Sequence, residues 1–218
     1  MLYADATIAM VGGTGTGSTI LSFSFYELVK DPSLQESLRA AIAPCYGKTI
    51  PGEFVFKDID KVGWLDGFVN EILRLYPPMS TGLWRTTPPE GIILDGTFIP
   101  GNTQLMPCMY AIHRYSKFFE QPDELIVERW TTRPELIHKK DNFYPFLIGT
   151  LRCPGKRIAL EMIKLTLAYT VWNYNFKFAP DADIKALHDK TVFQIVLKAG
   201  PLSCEFSKRE EADSLSKA

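Results

Sequence analysis

The feature that most constrains this sequence is a helix that carries charged residues on a surface too apolar to face water. Residues 60–76 form the strongest predicted helix, and Pro77-Pro78 ends it because proline disfavours helical geometry in the residue before it. Apolar residues cover nearly every side of this helix: Trp64, Leu65, Phe68, Val69, Ile72, Leu73 and Leu75. Glu71 and Arg74 share one face of the helix at i, i+3, so we expect both to be buried with it.

A buried pair of this kind needs further partners. Removing one carboxylate and one guanidinium from water costs more than their attraction returns unless other groups complete the set. Arg129, in the tripeptide E-R-W at 128–130, can supply a third member. We therefore expect a structural Glu71–Arg74–Arg129 network that fixes the helix to the irregular segment ahead of the next motif. The alternative is a surface ion pair of Glu71 with Arg74, which would contribute little to stability.

A second motif places a cysteine directly before a helix. Phe146, Gly149, Cys153 and Gly155 have the spacing F-x-x-G-x-x-x-C-x-G, and an apolar helix is predicted over 156–172. Free N–H groups at a helix N-terminus stabilise a thiolate, and the glycines let the backbone come close to a flat ligand. A lone cysteine is more often a buried structural residue, but the spacing and the helix start favour a ligand-binding role here.

The third motif is the glycine-rich stretch at 12–19, which lies between two segments with helical patterns. Both phosphate-binding matches are weak, because Ser18 stands where a P-loop has lysine and where a dinucleotide fingerprint has its last glycine. Small residues within a helix can instead open a groove for a ligand, to which Thr16 offers a hydroxyl. A close helix–helix contact explains the stretch equally well. A nucleotide-binding domain is a weaker alternative, and it gives no role to Cys153.

Around these motifs the pattern predicts an α+β, mainly helical fold. The predicted helices cover 19–30, 34–42 with Ser33 as its N-cap, 60–76 and 156–172, and 1–11 resembles the middle of a further helix. The predicted strands are 91–94 and 97–99 around an Asp-Gly turn, 103–109, and a closing hairpin of 192–197 with 204–206. Loops are predicted over 44–58 and 143–155, and a frayed tail over 208–218.

Composition excludes several classes of protein. The chain has 218 residues, of which 46% are hydrophobic and 22% charged, as in a globular rather than a disordered protein. Its 24 basic and 25 acidic residues give no excess for binding nucleic acid. The four cysteines are too few for a disulfide framework and too far apart for a zinc site. No secretory signal or membrane span is evident, so we expect a soluble chain or a piece of a protein whose anchor lies elsewhere.

In this order, the three motifs resemble those of the cytochromes P450. The E-x-x-R motif at 71–74, the E-R-W motif at 128–130 and the cysteine motif at 146–155 match together, and G-G-x-x-T at 12–16 resembles the family's oxygen-activating helix. The resemblance implies the C-terminal half of the family's fold: oxygen-groove helix, E-x-x-R helix, small β-sheet, Cys loop and following helix. It implies a partial haem domain over 1–207 that lacks its N-terminal half. The residues within and around these motifs are similar to those of fungal secondary-metabolism members, including tryprostatin-hydroxylase-like enzymes.

The resemblance also implies roles for individual residues. It implies haem b as the cofactor, with Cys153 as the axial ligand of the iron and Phe146 packed near it to shield the thiolate. Cationic partners for the haem propionates are implied at several positions: Arg85, His113, Arg114, Arg152 and Arg157. Thr16 is implied to assist the delivery of protons to bound dioxygen.

The activity implied is that of a monooxygenase that inserts one atom of dioxygen into a small hydrophobic substrate. Electrons would come from NADPH-cytochrome P450 reductase, and full-length members would lie at the endoplasmic reticulum membrane. The sequence departs from the family at Gly15, where an acidic residue usually precedes the threonine, and at Leu151, where an arginine is usual. Gly15 and the missing half favour an alternative: a catalytically inactive remnant that binds haem weakly or not at all.

Overall fold

The computed structural model describes residues 2–193 and 196–209, and it confirms the α+β, mainly helical class. The helices are α1 Leu2–Lys30, α2 Pro32–Ile42, α3 Phe56–Ile59, α4 Gly63–Leu75, α5 Met109–Ile112, α6 Lys156–Asn173 and α7 Ala186–Asp189. The strands are β1 Arg85–Thr86, β2 Ile92–Leu94, β3 Thr97–Ile99, β4 Gln104–Leu105, β5 Tyr174–Phe178, β6 Val192–Phe193, β7 Leu197–Lys198 and β8 Cys204–Lys208. Short 3₁₀ turns include Val127–Trp130 and Gly149–Leu151. Within the described ranges, no helix is both long and apolar enough to cross a lipid bilayer.

Helix α1 runs without a break through the glycine-rich stretch, so the predicted helical segments on either side of it are one helix. Each glycine weakens a helix by about 1 kcal/mol relative to alanine, which makes this part of α1 intrinsically poor. Packing at the other end compensates, because Ile20, Phe23 and Leu28 are buried in the core. The glycine-rich stretch is therefore helical because it continues a helix whose other end is packed in the core.

The prediction that Ser33 caps α2 was wrong, because Asp31 is the N-cap. The Asp31 side chain accepts hydrogen bonds from the backbone N–H of Ser33 at 3.0 Å and from its hydroxyl at 2.7 Å. Pro32 occupies the first helical position, where its missing N–H costs nothing. Asp31-Pro32 therefore starts the helix instead of preceding it.

The Asp95-Gly96 hairpin is confirmed, since β2 pairs with β3 and both turn residues have positive φ. The predicted strand at 103–109 is reduced to β4, which pairs with β1, and α5 begins at Met109.

The predicted closing hairpin was wrong. Strand β6 pairs with β7, whereas β8 pairs with β5, more than 20 positions back in the chain. Cross-strand packing explains this choice, because Phe206 lies opposite Phe176 and the two rings stack at 5.3 Å. Strand β8 extends through Lys208, past the predicted boundary at 207, and the rest of the predicted tail, 210–218, lies outside the described residues.

The core lies between α1, α2, α4 and α6, and one buried arginine closes it at the end of α6. Arg39 on α2 donates hydrogen bonds to the carbonyl oxygens of Val171 at 2.9 Å and Tyr174 at 3.0 Å, and to the Asn175 side chain at 2.9 Å. The last carbonyls of a helix have no partner within the helix, so Arg39 satisfies the carbonyl of the buried Val171 and also binds the first residues after the helix. This contact fixes the C-terminal end of α6 to α2.

We expect Arg39→Met to lower the free energy of unfolding by about 1–3 kcal/mol, because it leaves the carbonyl of the buried Val171 without the Arg39 donor. The control is Lys177→Met, which removes an exposed pair with Glu205 (3.4 Å) and should cost less than about 1 kcal/mol. Urea denaturation measures both. Equal losses would show that Arg39 acts only as a surface charge.

Candidate functional site

The site is built on the carboxylate of Glu71, which lies in α4 and has no exposed surface. Arg74 donates to both carboxylate oxygens, from Nε to Oε2 at 2.9 Å and from Nη2 to Oε1 at 2.8 Å. Arg129 donates from Nε to Oε1 at 3.0 Å, and both arginines are fully buried. The structure thus brings these three residues together in the interior rather than as an ion pair at the surface. We call them the Glu71 network.

Two further donors to Glu71 were missed from the sequence. The Trp130 indole Nε1 donates to Oε2 at 2.7 Å, and the Ile126 backbone N–H donates to Oε1 at 3.0 Å. Burial alone would raise the pKa of Glu71, but the hydrogen bonds and charge of Arg74, followed by the charge of Arg129, outweigh it and hold the pKa below its usual value. Trp130 adjoins Arg129 in the sequence, which was a usable signal, whereas nothing in the sequence marks Ile126.

The remaining guanidinium N–H groups of the network bind backbone carbonyls. Arg74 donates to the carbonyls of His113, Pro122 and Glu124, and Arg129 to those of Glu120, Gln121 and Leu136. These carbonyl dipoles support the second positive charge, which the single carboxylate leaves unbalanced. They also lie in a segment that consists largely of turns, so the two arginines act as its hydrogen-bonding scaffold.

Two side chains connect the Glu71 network to the cysteine loop, which is residues 143–155. The Trp130 ring packs on Phe143 with 4.4 Å between centroids. His113 is fully buried, and its Nε2 accepts the backbone N–H of Tyr144 at 3.4 Å. The beginning of the loop is therefore tied to the network on two sides.

The cysteine loop folds back tightly ahead of α6. Leu147 and Gly149 have positive φ, and the Cys153 N–H donates to the Phe146 carbonyl at 2.8 Å. Gly155 is the N-cap of α6 and supplies no side-chain acceptor, so the first N–H groups of the helix are not capped by its side chain. Cys153 is a half-buried free thiol beside this helix start.

Exposed apolar residues precede Cys153 in its loop and follow it on α6. They are Ile148, Leu151, Ile158 and Met162, with exposures of 65%, 55%, 75% and 41%. Ile158 and Met162 lie four residues apart on one face of α6. The methyl group of Met162 lies 2.6 Å from the point where a Cβ on Gly17 would stand, so this face of α6 reaches α1 next to Thr16.

The other predicted residues are placed separately. Thr16 is half-buried, and its hydroxyl donates to the Gly12 carbonyl at 2.7 Å. Arg85 is half-exposed on β1 and donates to the Trp84 carbonyl at 3.0 Å. Arg152 and Arg157 are exposed on either side of Cys153.

Arg114, also singled out from the sequence, lies in a different environment. Its guanidinium lies 3.9 Å from the centre of the Tyr110 ring, and Nε contacts the Asp123 carboxylate at 3.3 Å. Its Nη1 is buried and has no acceptor among the residues that the structure describes. Burial is the main cause that lowers the pKa of Arg114.

Comparison with known proteins gives a consistent result. The family model described as Cytochrome P450 matches residues 2–206. Cytochrome P450 monooxygenase orf5 of Eupenicillium brefeldianum is 34% identical over 96% of this chain and 42% of its own length. The monooxygenase phqL of Penicillium fellutanum is 32% identical, over 97% and 37%, and tryprostatin B 6-hydroxylase of Aspergillus fumigatus is 33% identical, over 84% and 33%. The chain thus spans well under half the length of these relatives.

We expect Trp130→Phe to lower the free energy of unfolding by about 1–3 kcal/mol, because Glu71 loses an indole donor while an aromatic ring still packs on Phe143. Trp64→Phe is the matched control: Trp64 stacks on Phe68 at 5.6 Å, and its indole N–H has no acceptor in the described parts of the chain. Chemical denaturation should show a clearly smaller loss for the control. Similar losses would mean that ring volume, not the hydrogen bond, sets the effect.

Proposed function

The chain belongs to the cytochrome P450 family, and we propose that it forms the cysteine-bearing part of a haem-thiolate monooxygenase. Relatives of the chain are named cytochrome P450 monooxygenases, which implies oxidoreductase chemistry. In this proposal one atom of dioxygen enters a small hydrophobic substrate. The observation that carries the proposal is the position of Cys153, a half-buried free thiol just before α6, in a loop and helix that both expose apolar residues.

The residues present fit haem b. A porphyrin is a flat apolar ring with two carboxylates at one edge, and it needs an apolar wall, cations near that edge and a ligand for its iron. The exposed side chains of Ile148, Leu151 and Ile158 would supply apolar surface from the cysteine loop and the first turn of α6. Arg152 and Arg157 supply exposed cations on either side of Cys153 in the sequence. Cysteine thiolate is the iron ligand that this family uses.

We assign the binding roles as follows. Cys153 would hold the iron, and the free N–H groups at the start of α6 would stabilise its negative charge. Phe146 would shield the thiolate. The proposed partners of the propionates are Arg85, Arg114, Arg152 and Arg157. His113 is left out of that set, because its side chain has no exposed surface and its Nε2 already accepts the Tyr144 N–H.

When bound, the haem would supply an iron that binds dioxygen, and thiolate ligation favours cleavage of the O–O bond. Thr16 is the proposed proton carrier on the chain, through its Oγ1. Its hydroxyl donates to the Gly12 carbonyl, so delivery of a proton to a ligand requires that hydrogen bond to be exchanged. Side chains at Gly12 and Gly13 would meet none of the described residues within 4 Å, so those residues leave the α1 backbone open on that side.

The partners follow from the family. We propose NADPH-cytochrome P450 reductase as the electron donor, and the endoplasmic reticulum membrane as the place where the whole protein works. Tryprostatin B 6-hydroxylase, one of the relatives, acts on the compound in its name. For this chain we propose a small hydrophobic substrate of secondary metabolism.

The ligand assignment is tested by mixing the purified chain with hemin, reducing it and adding carbon monoxide. We expect a Soret band of the thiolate type, which Cys153→Ser abolishes because serine does not replace the thiolate. Cys204→Ser is the control, since Cys204 is also a half-buried free thiol and should leave the spectrum unchanged. A histidine-type spectrum, or one that survives Cys153→Ser, would refute the assignment.

A second candidate is a haem-binding chain with little turnover, and Gly15 favours it. A side chain on Gly15 would meet Val196 at 3.8 Å, so the position has room but carries no carboxylate to work with Thr16. We expect Gly15→Asp to raise the product formed per NADPH consumed severalfold in the haem-loaded chain with reductase. Ser18→Asp, which adds the same charge at an exposed position of α1, should not raise it. If Gly15→Asp does not raise the product formed per NADPH, the missing carboxylate at position 15 is not the cause of the low turnover.

A further inference from the structure

His113 lies between the Glu71 network and the cysteine loop, and it contacts both. Its backbone carbonyl accepts a hydrogen bond from Nη1 of Arg74 at 2.9 Å. Its side-chain Nε2 accepts the Tyr144 N–H at 3.4 Å, and its ring lies 5.3 Å from that of Phe143. Because the residue is fully buried, water cannot replace either hydrogen bond.

Two short backbone hydrogen bonds lie between Tyr144 and Cys153. The Tyr144 carbonyl accepts the Leu147 N–H at 2.8 Å, and the Phe146 carbonyl accepts the Cys153 N–H at 2.8 Å. Between these hydrogen bonds, Leu147 adopts a φ of 61° and Gly149 a φ of 73°. Positive φ costs energy for leucine, so the loop does not hold this shape by local preference and depends on contacts from outside.

His113 can accept the Tyr144 N–H only while its imidazole is neutral. Burial first, and then the positive charge of Arg74, lower the pKa of His113 to about 4. Arg114 lowers it further, whereas the backbone carbonyls of Leu73 and Arg74 act in the opposite direction. The ring is therefore neutral at pH 7, and protonation in acid would remove the acceptor.

We propose that His113 is a positioning residue: it transfers the fixed geometry of the Glu71 network to the cysteine loop and so holds Cys153 in place. One part of this proposal, that the loop orients the thiolate for haem, rests on the proposed function. The hold on the loop itself requires no haem.

The first test is peptide-resolved hydrogen exchange of the whole chain without haem at pH 7. His113→Phe keeps a ring but removes the acceptor, and we expect the amides of 144–153 to exchange about tenfold faster, as for a loss of roughly one hydrogen bond. His113→Gln keeps a neutral acceptor and should restore slow exchange. His188→Phe changes a histidine packed on Phe23 and Tyr26, and it should leave the loop unaffected.

The second readout is the pH dependence of the same exchange, corrected for the intrinsic rate. Because the pKa of His113 is lowered on folding, its contribution is complete above the unfolded value near 6.5 and is lost as the pH falls through about 4. The loop of the wild-type chain should therefore loosen in that window, whereas the loop of His113→Gln should not. A merely structural role for the ring would not produce this difference.

The outcomes separate this proposal from the proposed function. Unchanged loop exchange in His113→Phe, or an acid step that persists in His113→Gln, overturns the positioning role. If His113→Phe loosens the whole chain, rescue by His113→Gln supports the role and failure of rescue overturns it. A chain that follows the expected exchange but gives no thiolate-type spectrum with hemin keeps the positioning role and refutes the haem assignment.

Discussion

The buried carboxylate of Glu71 is the interaction on which the rest of the structure depends. A carboxylate without water must be satisfied by donors, and five N–H groups from Arg74, Arg129, Trp130 and Ile126 converge on it. The two guanidinium groups then use their remaining donors on carbonyls of a segment with little regular structure. The segment has turn hydrogen bonds of its own, such as Phe119 N–H to Tyr115, and the two arginines add six bonds that join it to the buried carboxylate.

The thiol is held from both directions along the chain. Ahead of it, Trp130 and His113 fix residues 143–144 to the Glu71 network. After it, the buried Lys164 on α6 pairs with Asp60 at 2.8 Å and with Asp66. The loop that carries Cys153 is thus fixed to the core at both ends. These contacts restrain Cys153, although the residue itself is only half-buried.

The sequence predicted what depends on spacing and missed what depends on distant contacts. The i, i+3 spacing and the apolar surroundings were enough to predict burial of Glu71 and Arg74, and the helix after Cys153 was predicted within one residue of its observed end. Pairing of β8 with β5 was missed, because the Phe176–Phe206 contact joins segments whose local patterns say nothing of each other. His113 was predicted at a haem edge from its position alone, whereas its surroundings place it in the interior.

At this site, the residues that fix the cysteine loop are mostly buried, whereas the residues proposed to take part in the chemistry are half-buried or exposed. The Glu71 network and Trp130 are satisfied by protein groups, and His113 uses its Nε2 on the Tyr144 N–H, whereas its buried Nδ1 has no partner among the described residues. The groups proposed to meet haem and dioxygen, by contrast, lie on exposed apolar surface and on the glycine-rich part of α1, where packing constrains the sequence least. A change at position 15 can therefore alter the chemistry proposed for Thr16 without disturbing the loop, because a side chain there would meet only Val196 among the described residues.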